Sequence, residues 1–374
     1  MRIGIPTEIK DDENRVAITP SGVAAFVAHA HTVVVQKGAG TGSAIRDEAF
    51  QRAGATIVDS AAEVWATADL ILKVKEPLDG EFELMRPGQV LFTYLHLAAS
   101  KNLTERLLDR EIVGIGYETV QLDNGTLPLL LPMSEVAGRL SIQAGAKSLE
   151  MIAGGKGLLL PGVSGVRRGR VTIIGAGIVG LNACVVGVGF GADVTIIDID
   201  PLRLGYVRDV VQGHVTTLMS NAANIEESVG DADLVICAVL IPGAKTPRLI
   251  SREHIRRMEP GSALVDVAVD QGGCAETSRP TTHHDPRYLE EGVVHYCVAN
   301  MPGAVPHTST YALTNATLAY ALEVANLGWR EAALQDPALA KGVNIAAGQI
   351  VHRAVADAHG IPHAELSTLS SLRP

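Results

Sequence analysis

The sequence predicts an α/β protein with two Rossmann-like, doubly wound domains, the outer one discontinuous, and an active site in the cleft between them. Three observations support this fold class. Strand and helix patterns alternate in the N-terminal third, a glycine-rich strand-to-helix turn lies at 170–180, and helical patterns return after residue 305. We expect residues 1–130 and 306–374 to form the substrate domain and residues 131–305 to form the dinucleotide-binding domain.

The N-terminal segment consists of short apolar runs at strand spacing, separated by helical patterns. Strands are predicted at 2–5, 32–36, 56–58, 70–74, 90–94 and 112–115, and helices at 21–30 (with Ser21 near the N-cap), 47–53 and 60–68. Such alternation predicts a mostly parallel sheet with helices on its faces.

A long helical pattern from Glu135 to Ile152, begun by Ser134, predicts a connecting helix between the domains. Dinucleotide-domain strands are then predicted at Val171, Val194, Leu234 and Ala263, and over 293–298. The helical pattern 312–327 has possible caps in 308–310 and no breaker before Gly328. Helices that return after a nucleotide domain commonly pack on the first domain, so we expect the outer domain to be discontinuous.

Gly175, Gly177 and Gly180 have the G-x-G-x-x-G spacing, directly after a β-branched run and before an apolar helical pattern. The first glycine permits a tight turn, the second lets a pyrophosphate approach the backbone, and the third lets the helix lie close to the sheet. The N–H groups of the first helical turn would then face the phosphates.

Asp198 ends the predicted strand that begins at Val194, the second strand of the dinucleotide domain, where dinucleotide-binding proteins carry an acidic ribose ligand. A carboxylate that accepts from both ribose hydroxyls would repel a 2′-phosphate, so the cofactor is interpreted as NAD rather than NADP. Arg203 lies close enough in sequence to weaken that preference. The alternative is a glycine-rich turn beside a surface aspartate.

Composition excludes several classes of partner. The 374 residues carry a net charge of −10 and no basic run, which argues against nucleic acid and anionic membranes. Apolar runs are too short to span a bilayer, and the N-terminus does not resemble a signal peptide, so a cytoplasmic protein is expected. The four cysteines are scattered without a C-x-x-C motif, which favours buried reduced thiols over disulfides or zinc.

Four polar residues follow predicted parallel strands, where ligands bind in such sheets: Arg15, Lys75, His96 and Asp270. Arginine binds a carboxylate with a planar fork, and histidine transfers protons near neutral pH. The alternatives are solvated ion pairs for Arg15 and Lys75, a loop histidine, and an aspartate that caps a turn. These residues predict a nicotinamide oxidoreductase without identifying its substrate.

Longer motifs carry a family resemblance. They are 4–20 (GIPTEIKDDENRVAITP), 73–77 (KVKEP), 92–97 (FTYLHL), 266–274 (DVAVDQGGC), 278–282 (SRPTT), 298–302 (VANMP) and 308–315 (TSTYALTN). In this order they resemble the L-alanine dehydrogenases from Met1 to about Gly342.

The resemblance implies reversible oxidative deamination of L-alanine to pyruvate and ammonia with NAD. Arg15 would bind the substrate carboxylate, Lys75 the carbonyl or hydroxyl oxygen, and His96 would be the acid/base, with Asp270 assisting proton transfer and orienting the nicotinamide. The implied NAD site comprises Ser134, Gly175, Gly177, Ile178, Val179, Gly180, Asp198, Arg203, Ser220, Val239, Leu240, Val267, Asp270, Arg279, Val298, Asn300 and Met301. The family is hexameric, so a homohexamer is expected.

Two positions depart from some relatives, which have Lys at Arg203 and a His four residues after Glu323. Here that histidine is replaced by Leu327, so no metal site is expected. Two alternative functions remain open. One is the nucleotide-binding subunit of a nicotinamide nucleotide transhydrogenase, and the other is a non-catalytic NAD sensor.

Overall fold

The computed structural model describes residues 1–239 and 246–369. Its strands are β1 Arg2–Ile5, β2 Thr32–Gln36, β3 Thr56–Val58, β4 Leu70–Leu72, β5 Val90–Thr93, β6 Val113–Gly116, β7 Arg170–Ile174, β8 Asp193–Asp198, β9 Val215–Met219, β10 Leu234–Cys237, β11 Ala263–Asp266, β12 Arg287–Glu290, β13 Val293–Tyr296, β14 Val343–Ala346 and β15 Gln349–Ile350. Its helices are α1 Pro20–Ala28, α2 Asp47–Arg52, α3 Ala61–Thr67, α4 Asp79–Phe82, α5 Lys101–Asp109, α6 Leu131–Ser148, α7 Ile178–Gly189, α8 Pro201–Val210, α9 Ala222–Gly230, α10 Arg252–Arg257, α11 Pro306–Leu327, α12 Trp329–Gln335, α13 Pro337–Gly342, α14 Arg353–His359 and α15 Leu366–Leu369. Within these described ranges, none of the helices combines the length and apolarity needed to cross a membrane.

The chain divides into two compact units, Met1–Met133 with Val305–Pro374, and Ser134–Ala304. The first unit contains a sheet in the order β3-β2-β1-β4-β5-β6-β14-β15. Strands β1 to β6 are parallel, and β14 and β15 add an antiparallel edge. The six parallel strands have the 3-2-1-4-5-6 order of the Rossmann fold, and the strand order reverses between β1 and β4.

The second unit repeats this architecture. Its sheet has the order β9-β8-β7-β10-β11-β13-β12, in which all pairs are parallel except β13 with β12. The strand order reverses between β7 and β10, so the glycine turn after β7 lies at the switch point. The predicted fold class of two Rossmann-like α/β domains is confirmed at this level.

Burial explains the apolar composition of the central strands. All residues of β4, β5, β10 and β11 are buried, as expected for parallel strands covered on both faces. In the first unit, Trp65, Ile71 and Leu91 belong to one apolar cluster with residues of β14 and α14. In the second, residues of β10 and β11 pack with α9 and α10. All four cysteines are buried and free, which confirms that expectation.

Three predicted helix starts are wrong. Helix α1 begins at Pro20 and is capped by Thr19, whose side chain accepts from the Gly22 N–H, so Ser21 is not the cap. Helix α6 begins at Leu131, before Ser134. Helix α11 begins at Pro306 without a side-chain cap, so residues 308–310 lie inside it. In each case proline occupies the first turn, where its missing N–H leaves no hydrogen bond unmade.

The prediction from the sequence also lacked four strands, β9, β12, β14 and β15. None of the nine residues of β9 and β12 is buried, so these strands lack the continuous apolar run that marked the buried ones. Strand β14 has four residues and directly follows α13, and β15 has only two residues. Short or half-exposed strands of this kind are set by pairing with a neighbour rather than by local pattern.

Candidate active site

The carboxyl ends of β1, β4, β5 and β6 lie side by side in the first unit, and each is followed by a polar residue. Arg15 follows β1, Lys75 follows β4 and His96 follows β5, as the sequence predicted. Glu118 follows β6, the next strand along. Parallel neighbours bring these residues to one edge of the sheet, beside its switch point.

Arg15 is a buried cation, only 2% exposed, rather than a member of a solvated loop pair. Its Nε donates to Glu13 Oε1 at 2.7 Å and its Nη2 to Glu13 Oε2 at 2.5 Å. Burial opposes its charge, but the hydrogen bonds with Glu13 outweigh that effect and raise the pKa of Arg15. Nη1 also donates to Met133 Sδ at 3.1 Å. The guanidinium is therefore held charged in a fixed orientation.

The backbone of the Lys75 segment is fixed by a buried charge cluster of Glu8, Lys73 and Glu81. Glu8 Oε1 accepts from the Val74 N–H at 2.6 Å, and Oε2 from the Lys75 N–H at 3.4 Å. Lys73 Nζ lies 3.1 Å from Glu8 Oε2 and 2.8 Å from Glu81 Oε1, with all three side chains at most 3% exposed. The cluster leaves the carboxyl end of β4 little freedom.

The pKa of Lys75 is lowered, first by burial and second by the positive charge of Arg15. The two cations predicted to bind substrate are therefore close enough to interact. A second cation beside Arg15 is costly unless an anion joins them, because like charges repel strongly where water is excluded. A ligand with a carboxylate would supply that anion.

His96 has the left-handed backbone conformation, with φ +50° and ψ +36°. Its ring stacks on that of Tyr94, with centroids 5.8 Å apart and planes at 3°. The Tyr94 hydroxyl donates to the Leu129 carbonyl at 2.7 Å. Burial raises the pKa of Tyr94, so this phenol stays a neutral donor. The imidazole therefore has one face covered by a fixed ring.

Sequence reasoning missed the residues that hold Arg15, Lys75 and His96 in place: Glu8, Glu13, Lys73, Glu81, Tyr94 and Glu118. Only Glu13 had a local signal, since it lies two residues before Arg15 in the same loop. Glu8 and Lys73 are 65 positions apart. Their pairing depends on β1 and β4 being neighbours, which no local pattern encodes.

In the second unit, the turn after β7 leaves no room for a side chain at Gly175 or Gly180. Gly175 has φ +103°, a conformation that favours glycine. A Cβ added to Gly180 would lie 1.8 Å from the Gly175 carbonyl oxygen. Gly177 is the N-cap of α7, a helix of 12 residues whose first turn offers N–H groups. The turn thus has the shape that suits a dinucleotide pyrophosphate.

Asp198, Ser220 and Arg203 lie around this turn. Asp198 Oδ2 accepts from the Ala176 N–H at 2.5 Å, and its carbonyl accepts from the Ser220 N–H at 2.9 Å. Arg203 Nη1 is 3.7 Å from the point where a Cβ on Gly177 would stand. The predicted ribose ligand therefore also supports the glycine turn.

Helix α6 packs against the start of α7. A Cβ on Gly138 would lie 2.2 Å from the Val179 carbonyl oxygen, so the two helices meet closely at this glycine. Ser134 is one turn earlier on the same face of α6. Ile178 is 40% exposed and Val179 is buried, so Ile178 offers the more accessible side chain of this pair.

Asp270 lies exposed in the short 3₁₀ turn Val269–Gln271 after β11. Its Oδ2 accepts from the Asn300 N–H at 3.4 Å, which joins two of the predicted cofactor residues. The buried carboxylate of Asp266 holds the loop: it accepts from Ser278 Oγ at 2.5 Å and the Cys274 N–H at 2.8 Å. Val267 is fixed by its N–H bond to the Cys237 carbonyl at 3.1 Å.

The other predicted cofactor residues have mixed exposure. Val239 lies after β10 with its N 3.1 Å from the Cβ position of Gly175. Arg279 is exposed, with its guanidinium 3.9 Å above the Tyr288 ring. Val298 and Met301 are buried, which leaves Asn300 as the accessible member of that segment. Leu240 lies outside the described residues.

Similarity to known proteins covers almost the whole chain. Residues 4–137 match the N-terminal domain of the family described as "Alanine dehydrogenase/PNT", and residues 141–353 match its C-terminal domain. A relative from Methanococcus maripaludis, named "Alanine dehydrogenase", is 58% identical over 364 residues, 97% of this chain and 98% of its own. A relative from Geobacillus stearothermophilus with the same name is 57% identical over 373 residues, 99% of each chain.

Solved structures agree with these sequence matches. A structure titled "L-alanine dehydrogenase" has a TM-score of 0.94 and 50% identity, covering 96% of this chain and 99% of that one. A transhydrogenase structure from Sinorhizobium meliloti has a TM-score of 0.82 at 24% identity, covering 95% of this chain and 100% of that one, and at that identity shows a common fold only. The chain belongs to the alanine dehydrogenase/PNT family.

Proposed function

We propose that this protein catalyses the NAD-dependent, reversible oxidative deamination of L-alanine to pyruvate and ammonia. The observation that carries the proposal is the pair of relatives named alanine dehydrogenase, which are 58% and 57% identical over nearly the full length of both chains. The buried Arg15 and the partly buried Lys75 lie at the same edge of the sheet as His96, which agrees with a small, carboxylate-bearing substrate.

Arg15 binds the substrate carboxylate. Its guanidinium is held by Glu13, so little side-chain entropy is lost when the anion arrives. Lys75, whose charge is disfavoured by burial and by Arg15, gains a compensating anion in the same event. Lys75 then donates to the carbonyl or hydroxyl oxygen that develops at Cα.

His96 is the acid/base. It takes a proton from the water that attacks the iminium carbon and returns that proton to the carbinolamine nitrogen, so that ammonia can leave. It then takes the hydroxyl proton as the pyruvate carbonyl forms. Its face contact with Tyr94 limits rotation of the ring. Asp270 assists these transfers and is held by the loop that Asp266 anchors.

NAD is the proposed cofactor, and when bound it accepts hydride from Cα of alanine. The turn at Gly175, Gly177 and Gly180 would bind its pyrophosphate, and Asp198 would accept from the adenosine ribose. The remaining residues of the proposed site are Ser134, Ile178, Val179, Arg203, Ser220, Val239, Leu240, Val267, Asp270, Arg279, Val298, Asn300 and Met301. The active-site cleft between the units stays a prediction.

We further propose a cytoplasmic homohexamer whose partners are small molecules, with no nucleic acid or membrane partner. The family resemblance supports the hexamer, and the acidic net charge of −10 supports the absence of polyanionic partners. Sedimentation equilibrium of the purified protein tests the oligomeric state.

Initial rates of NADH formation across a panel of small amino acids test the activity. We expect turnover of L-alanine, and His96→Ala should lower kcat by about 10²–10⁴-fold while the Kd for NADH is retained. His29→Ala, which removes an exposed histidine of α1's C-cap, is the matched control. NADH binding without turnover of any amino acid would refute the proposal and favour the non-catalytic sensor.

A further inference from the structure

Glu118, in the 3₁₀ turn Tyr117–Thr119 after β6, bonds directly to the backbone of His96. Its Oε1 accepts from the His96 N–H at 2.6 Å and from the Leu95 N–H at 3.3 Å. Its Oε2 lies 3.2 Å from the same Leu95 nitrogen. The carboxylate therefore clamps the two residues that end β5.

The clamp acts on a strained position. His96 has φ +50° in a chain segment with no glycine between 89 and 113. A side-chain-bearing residue rarely adopts the left-handed region and stays there only when its surroundings impose it. The hydrogen bonds that Glu118 accepts favour this conformation, because they require the N–H groups of residues 95 and 96 to point at one carboxylate.

Glu118 is itself fixed by its neighbours. Thr119 Oγ1 donates to the Gly342 carbonyl at 3.2 Å, and Asn344 Nδ2 donates to Thr119 Oγ1 at 2.6 Å. A Cβ on Gly116 would lie 2.9 Å from Thr119 Oγ1 and 3.2 Å from Glu118 Oε1, so the turn needs glycine at that position. These contacts tie the turn to β14, the antiparallel strand that pairs with β6.

We propose that Glu118 is a positioning residue for His96. Its carboxylate holds the left-handed backbone that aims the imidazole, while Tyr94 covers one face of the ring. The inference rests on the proposed function, because it assigns the imidazole its catalytic role.

The side-chain chemistry of Glu118 separates positioning from charge. Glutamine keeps one acceptor oxygen, and a single oxygen, Oε1, accepts from both the His96 N–H and the Leu95 N–H. Leucine has similar bulk and no acceptor. The positioning role therefore predicts rescue by Glu118→Gln and loss in Glu118→Leu.

The experiment measures kcat, KM for L-alanine and Kd for NADH in both variants. Glu118→Leu should lower kcat at least about tenfold, because the left-handed backbone of His96 loses the acceptor that holds it and the imidazole is then mostly misdirected. KM and the NADH Kd should stay within about threefold of wild type, since neither Arg15 nor the second unit is changed. Glu118→Gln should keep kcat within about threefold of wild type. The control is Glu105→Leu, at an exposed α5 residue paired with Lys101.

A double-mutant cycle supplies the decisive readout. If Glu118 acts through His96, Glu118→Leu should cause no further loss of kcat in a His96→Ala background. Equal losses in both backgrounds, or a wild-type kcat in Glu118→Leu, would overturn the inference. Should Glu118→Leu fail to fold, Glu118→Asp, which withdraws the acceptor by one methylene, must lower kcat.

The same data distinguish failure of the inference from failure of the proposed function. A wild-type protein that does not turn over alanine refutes both. A wild-type protein that turns over alanine, loses that activity with His96→Ala and keeps it with Glu118→Leu refutes the inference alone.

Discussion

Gly180→Ala is the smallest change that should disable the dinucleotide turn. The added Cβ would lie 1.8 Å from the Gly175 carbonyl oxygen, whereas real Cβ contacts essentially never fall below 3.0 Å. The backbone must therefore move by about 1.2 Å, since the clashing atom belongs to the main chain and cannot rotate away. The movement separates the first turn of α7 from the end of β7.

Overpacking of this kind costs about 1–3 kcal/mol in free energy of unfolding. It also displaces the N–H groups that would face the phosphates. We expect the Kd for NADH to rise at least about tenfold, which corresponds to about 1.4 kcal/mol of lost binding free energy. Fluorescence titration measures the Kd for NADH, and urea unfolding measures the free energy of unfolding.

Gly189→Ala is the matched control, because Gly189 ends the same helix and a Cβ there meets nothing within 4 Å. Alanine is the better helix former, so stability should be unchanged or rise by up to about 1 kcal/mol. NADH affinity should equal that of wild type. Wild-type NADH affinity and stability in Gly180→Ala would refute the reasoning, since the turn would then tolerate a side chain.

Three further predictions concern buried groups. Lys73→Met should lower the free energy of unfolding by about 3–5 kcal/mol in urea titrations, because Glu8 and Glu81 lose their buried cation; a loss below about 1 kcal/mol would contradict that burial. Burial opposes ionisation of Asp233, but hydrogen bonds led by Arg167 outweigh it and lower the pKa of Asp233 to about 2. This depressed pKa stabilises the protein above the ordinary value of 3.8, and the stabilisation is lost as the pH falls towards 2. Asp233→Asn should therefore reduce the loss of unfolding free energy between pH 4 and pH 2 by about 1 kcal/mol, a value lowered for solvent screening because Arg167 is half-exposed. If the pH dependence of the unfolding free energy is the same in Asp233→Asn and wild type, the ionised Asp233 does not stabilise the fold. The four buried thiols should react with a thiol reagent only in denaturant, and a rapid native reaction would contradict their burial.

Features that depend on local backbone requirements could be predicted from the sequence alone. Gly175 and Gly180 specify the turn because a side chain would clash or be strained at those positions, and the following apolar helix specifies what the turn leads to. Buried β-branched runs specified the central strands. The long motifs indicated the family, so Arg15, Lys75 and His96 could be named before their surroundings were known.

The groups that hold those residues in place could not be predicted before the strand order was known. Glu8 meets Lys73 because β1 and β4 are neighbours, and Glu118 meets His96 because β6 lies beside β5. A charged side chain can be buried only where a partner is brought to it, and that partner is chosen by strand order rather than by nearby sequence. Local propensity fixes turns and strands, whereas the partners of buried charges follow from which strands become adjacent.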